Sequence, residues 1–258
     1  MGEAREFEVR QSAAVFAAYA RGMSVSPDVF RGGGLTIAPR PADSPWPFVA
    51  FVVTAPGGTL ACFAPEALAW ARANQPASPA AAAEPAFLIE VLAASGARAA
   101  ISAPELSWSL AHAPGPGDPP AGVQLESRDP AWMLAEMDAG RFPNGVGTAG
   151  ANARETRNRY AVVLLDSRDE PVAVAGVHDT FGLSEIGVDV VPGRQSEGLG
   201  TAVVNAAVRE ILARGDIPFY SCSATNIRSQ RTARACGFVP AFYNAALDPL
   251  PTGSSEAP

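Results

Sequence analysis

The spacing of apolar and polar positions predicts alternating helices and strands in the first 110 residues. An amphipathic helix is predicted where Phe7, Val15 and Tyr19 fall on one stripe. Two apolar runs flank Pro56-Gly57-Gly58 and predict a β-hairpin. The predicted helices span residues 3–21, 65–74, 86–94 and 104–110, and the predicted strands span residues 35–37, 48–54, 59–63 and 97–101.

The second half of the chain shows a longer run of strands with fewer helices. Apolar positions at Leu199, Val203 and Ile211 fall on one helical face, and Gly215 follows them as a C-terminal stop. The predicted strands span residues 123–127, 160–165, 171–177, 184–191, 219–223 and 238–239, and the predicted helices span residues 130–139, 199–214 and 226–236. Helices mixed with strands predict an α/β layered domain.

A run rich in proline and glycine at residues 113–120 separates the two halves. These residue types interrupt regular structure, so a domain boundary is predicted here. We therefore expect an α/β domain at residues 1–118 and a second domain at residues 119–258. The first domain carries no recognised motif, and a degenerate copy of the second domain is one interpretation of its alternating elements.

Composition and charge restrict the function. The formal net charge is −7, which disfavours nucleic acid and anionic membranes and is compatible with a cationic amine. Three widely spaced cysteines and two histidines form no metal pattern, so no metal is expected. The first residues lack an apolar signal core, and the longest apolar stretch, residues 46–55, is too short to span a bilayer. A cytoplasmic location is therefore expected.

A glycine-bearing junction between a predicted strand and a predicted helix is the strongest chemical signal. Gln195, Gly198 and Gly200 have the spacing Q-x-x-G-x-G. Such a junction presents free backbone N–H groups and a positive helix end to an anion. The alternative is a glycine turn that binds nothing. A second spacing follows it, in which Asn226, Ser229 and Gly237-Phe238 bracket the next predicted helix.

Together these two segments resemble the GCN5-related N-acetyltransferases, the GNAT superfamily, over roughly residues 160–247. The resemblance implies a mixed, mostly antiparallel sheet flanked by helices, with acetyl-CoA as cosubstrate. It implies that the loop binds the pyrophosphate and that the preceding strand binds the pantetheine arm. The donor-binding residues that it implies are Val188, Val190, Gln195, Ser196, Glu197, Gly198, Leu199, Gly200, Thr201, Asn226 and Ser229.

The resemblance also implies direct attack by an amine, for which a general base matters more than an acid. A lysine-like amine, with a pKa of about 10.4, costs roughly 4–5 kcal/mol to deprotonate at about pH 7, whereas a thiol leaving group needs only about 2 kcal/mol of proton help. Glu185 is the first candidate base and Asp189 the second, although both also suit a solvated strand face. The family often places a tyrosine acid where this chain has Ala233, so Tyr220 is the chosen acid, with Ser223 and Tyr243 as alternatives.

We therefore expect an N-acetyltransferase that moves an acetyl group from acetyl-CoA to a primary amine in a ternary complex. The alternative is a non-catalytic GNAT-fold module that binds acyl-CoA or a partner. An oxidoreductase is disfavoured because no G-x-G-x-x-G follows an early strand. The expected partners are acyl-CoA and a small-molecule or peptide amine, with a homodimer left open and the acceptor unnamed.

Overall fold

The computed structural model describes residues 2–44, 46–115, 119–147 and 157–250. These residues form six α-helices: α1 Gly2–Gly22, α2 Pro65–Ala73, α3 Pro85–Ser95, α4 Pro130–Asp138, α5 Leu199–Ala213 and α6 Ile227–Ala235. Their eleven strands are β1 Leu35–Pro39, β2 Ala50–Ala55, β3 Gly58–Phe63, β4 Ala99–Ile101, β5 Glu105–Leu110, β6 Gln124–Arg128, β7 Asn158–Leu165, β8 Pro171–Thr180, β9 Leu183–Val190, β10 Pro218–Ser223 and β11 Phe238–Pro249. Within the described ranges, no helix is both long and apolar enough to cross a membrane.

Local sequence explains where several helices begin and end. The Asp129 side chain accepts a hydrogen bond from the Trp132 backbone N–H and caps α4, whose first residue is Pro130. Proline also opens α2 and α3, where its missing N–H costs no helical hydrogen bond. Gly96 ends α3 in the left-handed conformation, with a φ of 64°.

The prediction of a helix at residues 104–110 is wrong, because this segment forms β5. Leu106, Trp108 and Leu110 alternate with serines, which is the period of a strand. The segment from Ser107 to Leu110 is buried throughout. A short run buried on both faces carries too few positions for periodicity to separate the two states. The last strand also extends further than predicted, since β11 continues to Pro249.

Contacts divide the chain into two compact units that are not consecutive in sequence. The first unit comprises Met1–Ala18 and Ser107–Ala241, and the second comprises Tyr19–Leu106 and Phe242–Pro258. Both β5 and β11 therefore contribute residues to each unit. The domain boundary expected at residues 118 and 119 adjoins residues 116–118, which lie outside the described residues. The division into domains 1–118 and 119–258 stays a prediction.

The first unit contains a mixed, mostly antiparallel sheet. Strands β6, β7, β8 and β9 pair antiparallel in chain order, and β10 then pairs parallel to β9. Helix α4 and the segment 142–146 pack against one face of the sheet, in a cluster that includes Met133, Phe142 and Val174. Helix α5 packs against β7, β8 and β9 with a separate set of buried apolar residues. The predicted α/β fold class is confirmed.

The second unit contains its own sheet and core. β3 lies between β1, its parallel partner, and β2, its antiparallel partner. The last part of β11 pairs with β2 and with β4. Helices α2 and α3 cover a cluster that includes Phe63, Phe87 and Leu88. This arrangement forms the smaller α/β unit that the sequence pattern predicts.

Two buried thiols should lower the stability of the protein in alkaline solution. Burial raises the pKa of Cys62 and of Cys236 from 9.0 to about 12. Below pH 9 both thiols are protonated in the folded and unfolded states; above it only the unfolded state releases protons. The free energy of unfolding should then fall by about 1.4 kcal/mol per pH unit for each thiol as the pH rises from about 9 towards 12.

Urea unfolding between about pH 8 and 10 checks this prediction. The matched control is the Cys62→Ala, Cys236→Ala double variant, which keeps Cys222 and all the tyrosines, so their titration contributes equally to both proteins. Its stability should be lower at every pH but should fall less steeply as the pH rises. Equal pH slopes in the two proteins would contradict the prediction.

Candidate functional site

β9 and β10 separate after a short paired segment. Their register runs from Ser184 opposite Pro218 to Ile186 opposite Tyr220, and no pair beyond Ile186 occurs among the described residues. β8 continues to pair with β9 as far as Val190 on the other side. The edge of β9 from Gly187 to Val190 is therefore open towards β10.

The main-chain groups of Val188 and Val190 face this open edge. The Val191 N–H donates to the Val172 carbonyl at 3.0 Å. Val190 lies opposite Ala173 in the antiparallel ladder. Because the Val191–Val172 bond lies immediately beside this pair, Val190 and Ala173 form a non-hydrogen-bonded pair. The pattern alternates, so Val188 also directs its N–H and C=O away from β8. The Ser184 N–H, four residues earlier, follows the same pattern and donates to the Ile217 carbonyl at 2.9 Å.

The loop from Val191 to Gly198 bends the chain sharply from β9 into α5. Gly193, Ser196 and Gly198 have φ values of 87°, 73° and 79°. Gly198 is the N-cap of α5 and contributes no side-chain cap. Among the described residues, the backbone N–H groups from Gln195 to Thr201 have no hydrogen-bond acceptor. Seven N–H groups without an acceptor at the positive end of a helix are an arrangement suited to binding an anion.

The two glycines of the Q-x-x-G-x-G spacing, Gly198 and Gly200, have different reasons to be glycine. Gly198 needs its positive φ, which side chains rarely adopt. Gly200 lies in the first turn of α5, and a Cβ there would approach Val190 Cγ2 at 3.5 Å, which is ordinary van der Waals contact. Glycine in a helix costs roughly 0.5–1 kcal/mol relative to alanine. The protein's own packing therefore does not require glycine at position 200, and close approach of a ligand to the backbone is the other reason for glycine there.

Arg194 and Glu197 form an ion pair within the loop. Arg194 Nε lies 2.7 Å from Glu197 Oε2, and the two side chains are 35% and 42% exposed. The pair cancels the charge of the only arginine in the loop. Glu197 therefore neutralises the charge of Arg194 through this ion pair. It also places a negative carboxylate near the free N–H groups of the loop.

Replacing Glu197 with glutamine should tighten acetyl-CoA binding about fivefold, because a carboxylate several ångströms from a pyrophosphate costs about 1 kcal/mol in water. Calorimetric titration with acetyl-CoA measures the change, which should shrink as salt is added. The control is Glu126→Gln, which removes the carboxylate of a similarly exposed ion pair with Arg128. Unchanged affinity at low salt would show that Glu197 lies outside the anion site.

Hydroxyl groups from two strands hold Glu185, the first candidate base. Thr180 Oγ1 at the end of β8 donates to Glu185 Oε2 at 2.5 Å. Ser221 Oγ in β10 donates to Glu185 Oε1 at 2.5 Å. Arg157 Nη1 donates to Thr180 Oγ1 at 3.2 Å. The half-buried carboxylate thus lies between the two strands that flank β9, close to the point where β9 and β10 separate.

Asp189, the second candidate base, anchors the segment 142–147. Its two oxygens accept hydrogen bonds from the Asn144 N–H at 2.7 Å, the Asn144 Nδ2 at 2.7 Å and the Gly145 N–H at 2.9 Å. Three donors satisfy this carboxylate in a structural role. The segment passes close to two glycines of the sheet. A Cβ on Gly176 would lie 1.5 Å from the Gly145 carbonyl oxygen, and a Cβ on Gly187 would lie 1.9 Å from the Asn144 carbonyl oxygen.

Tyr220, Ser229 and Asn226 come together beside the opening between β9 and β10. Tyr220 Oη and Ser229 Oγ share a hydrogen bond of 2.7 Å. Asn226 Oδ1 accepts from the Ser229 N–H at 3.1 Å and caps α6. Burial raises the pKa of Tyr220, so its hydroxyl stays protonated at neutral pH. Because Phe219 pairs with Glu185, Tyr220 directs its side chain to the opposite face of the sheet from Glu185.

The other residues singled out in the sequence have ordinary surroundings. Ala233 is fully buried in α6. Ser223 Oγ bonds to Thr225 Oγ1 at 3.0 Å, and Tyr243 pairs with Thr54 in the second compact unit. Over the described ranges, no cluster of three or more histidine, cysteine or acidic residues could hold a metal ion.

Sequence reasoning missed the residues that hold the two carboxylates. Thr180, Ser221, Asn144 and Gly145 supply their hydrogen bonds, and none belongs to a recognised spacing. His178 adds a further support, with Nε2 3.0 Å from the Gly145 carbonyl oxygen and Nδ1 2.6 Å from Asn158 Oδ1. A weak signal existed for Ser221, because a serine between Tyr220 and Cys222 interrupts a buried strand.

Comparison with protein families identifies the region that contains this site. Residues 125–238 match the family model described as Acetyltransferase (GNAT) family. This range includes β9, the glycine loop, α5, β10 and α6. No curated protein sequence matches the chain.

Two solved structures share the fold along nearly the whole chain, and a third matches a shorter part of it. The X-ray structure of a Drosophila protein has a TM-score of 0.53 and 17% identity, and the match covers 96% of this chain and 91% of that chain. A tandem GNAT protein from the clavulanic acid biosynthesis pathway has a TM-score of 0.50 and 16% identity over 94% of each chain. A GCN5-related N-acetyltransferase-like protein from Streptococcus suis has a TM-score of 0.47 and 14% identity, and the match covers 64% of this chain and 68% of that chain.

Proposed function

Because residues 125–238 match the family model described as Acetyltransferase (GNAT) family, we propose that this protein transfers an acetyl group from acetyl-CoA to a primary amine. The two substrates are bound together, and the amine attacks the thioester directly. The observation that carries the proposal is the row of free backbone N–H groups from Gln195 to Thr201. This row begins a few residues after the open edge of β9. One extended ligand can therefore lie along that edge and end at the row.

The donor would lie along β9 and end at the loop. The free N–H groups from Gln195 to Thr201 bind the pyrophosphate, and Gly198 and Gly200 leave space for it. The main-chain groups of Val188 and Val190 pair with the amides of the pantetheine arm, as an added strand would. Asn226 and Ser229 flank the arm from the N-terminus of α6. No tyrosine in α6 is needed for these contacts.

The acceptor amine would approach Glu185. A protonated primary amine first loses one proton to the Glu185 carboxylate, directly or through water. The amine nitrogen then bonds to the thioester carbon, whose oxygen is polarised by the Val190 N–H. The carbon–sulfur bond breaks, and a second proton from the amine nitrogen passes to the departing thiolate. The products are the N-acetylated amine and free CoA thiol, with one proton released through Glu185 to solvent.

Tyr220 is the proposed hydrogen-bond donor to the departing thiolate. Its hydroxyl stays protonated because of burial and is held by Ser229. Transfer from a phenol to a thiolate is uphill, since a free thiol has a pKa of about 8.5. Tyr220 therefore assists through a hydrogen bond to the sulfur as it departs, while the amine supplies the proton.

Thiol release during incubation with acetyl-CoA and a panel of primary amines tests the proposal. The panel covers polyamines, amino acids, aminoglycoside-type amines and peptides with free N-termini. Saturable thiol release that depends on the amine supports the proposal. Binding of acetyl-CoA without turnover across the panel would favour the non-catalytic module, which the buried Ala233 in place of a tyrosine would explain. Absence of acetyl-CoA binding would overturn both.

A further inference from the structure

Two hydroxyls from different strands fix the carboxylate of Glu185. Thr180 ends β8 and Ser221 lies in β10, and each donates to a different oxygen of Glu185 at 2.5 Å. A glutamate side chain has several rotatable bonds, and fixing both oxygens selects one orientation. Each oxygen keeps a further lone pair. The carboxylate can therefore accept a proton from an amine or a water while both hydroxyl contacts persist.

The hydrogen of Thr180 has a defined direction. A hydroxyl carries one hydrogen and can also accept hydrogen bonds. Arg157 Nη1 donates to Thr180 Oγ1 at 3.2 Å and donates at 3.2 Å to the Asp179 carbonyl as well. A guanidinium has no acceptor, so the hydrogen of Thr180 is directed at Glu185. Thr180 is 3% exposed, so water does not compete for this contact.

We propose that Thr180 and Ser221 are positioning residues for Glu185 in acyl transfer. This inference rests on the proposed function and on Glu185 as the base. The hydroxyls align the carboxylate with the opening between β9 and β10, where the amine and the thioester meet. Misplacement of a catalytic group by about 1 Å can cost about 100-fold in rate. Each hydroxyl is therefore expected to affect the chemical step through Glu185.

Two nearly isosteric variants, Thr180→Val and Ser221→Ala, remove the hydroxyls. We expect each to lower kcat about tenfold, because the remaining hydroxyl still restrains the carboxylate partly. The dissociation constant of acetyl-CoA should stay within about twofold of the original, since the pyrophosphate loop is unchanged. Thr180→Ser keeps the hydroxyl and should restore most of the lost kcat. The controls are Thr59→Val and Ser109→Ala, which remove buried strand hydroxyls with side-chain partners elsewhere.

The decisive comparison repeats both variants in a Glu185→Gln background. A positioning residue acts only through Glu185, so Thr180→Val and Ser221→Ala should then cause no further loss of kcat. Equal losses in both backgrounds would overturn the positioning role and indicate a general structural effect. If Glu185→Gln lowers kcat but the hydroxyl variants match their controls, the positioning role fails while the base stands. Full activity of Glu185→Gln, or no turnover by the original protein, overturns both assignments.

Discussion

Replacing Gly198 with glutamate is expected to weaken acetyl-CoA binding by at least about 100-fold, or about 3 kcal/mol. Gly198 has a φ of 79°, and a Cβ there meets no protein atom within 4 Å. A glutamate would therefore extend into the space in which the pyrophosphate is proposed to lie. It would add a negative charge beside the free N–H groups, and the left-handed backbone would add about 1–2 kcal/mol of strain. Calorimetric titration with acetyl-CoA measures the loss.

The same helix offers a matched control at its other end. Gly215 follows α5, has the same φ of 79°, and has no atom within 4 Å of a Cβ. Gly215→Glu introduces the same backbone strain and the same charge, far from the loop along the helix axis. We expect it to lower the midpoint of urea unfolding about as much as Gly198→Glu does. Its affinity for acetyl-CoA should remain near that of the original protein. Equal loss of affinity in the two variants would argue against the loop as the pyrophosphate site.

The second large effect is expected from Glu185→Gln, which should lower kcat for amine acetylation by about 100-fold to 10,000-fold. Loss of a positioned general base typically costs this much. Glutamine has the same shape and can accept from Thr180 or Ser221, but it cannot take a proton from the amine. Affinity for acetyl-CoA should not change, because this side chain is separate from the loop. Steady-state thiol release with a saturating amine measures kcat.

Glu210→Gln is the control for this variant. Glu210 also accepts a serine hydroxyl, with Ser127 Oγ at 2.7 Å, and pairs with Arg214, but it lies near the opposite end of α5 from the loop. Its variant should retain kcat. A second check uses an amine of low pKa, which is already unprotonated at neutral pH. The loss in Glu185→Gln should be smaller with this substrate; the same loss with both amines would rule against a base role.

The two large effects separate the two parts of the proposed function. Gly198→Glu acts on donor affinity and Glu185→Gln acts on the chemical step. A protein that binds acetyl-CoA through Gln195–Thr201 but loses nothing in Glu185→Gln would use a different base, reached through water. A protein that binds acetyl-CoA and releases no thiol would be a binding module with an intact loop. The buried Ala233 fits either case, since a tyrosine hydroxyl is absent from that position.

Local patterns in the sequence predicted most of the elements around the loop. Apolar spacing predicted α5, whereas Asn226 and Gly237 indicated the bounds of α6, which the Asn226 side chain caps by accepting a hydrogen bond from the Ser229 N–H. The Q-x-x-G-x-G spacing indicated backbone donors at a helix N-terminus, and the family match over residues 125–238 confirms the resemblance. These features depend on neighbours within a few residues along the chain. Such short-range preferences can therefore be recognised without knowledge of the fold.

Hydrophobic periodicity alone does not identify the secondary structure of a short element whose two faces are both buried. The alternation of Leu106, Trp108 and Leu110 with serines is the pattern of a strand, yet a short helix was predicted there. The seven residues of the predicted helix contain only about two helical turns and carry little periodic information. Burial of Ser107 and Ser109 depends on elements that pack against β5. Only the tertiary structure provides those elements.

The sequence by itself determined that the chain is α/β, that its second half resembles the GNAT superfamily, and that Gln195–Thr201 precedes a helix. Only the tertiary structure showed which groups hold the two candidate carboxylates. Asp189 is satisfied by Asn144 and Gly145, some 45 positions earlier, while Glu185 is held by Thr180 and Ser221 from two other strands. Hydrogen-bond partners that the fold brings together from distant segments have no characteristic spacing in the sequence. The chemical role of a carboxylate depends on those partners, because they determine which lone pairs remain for a substrate.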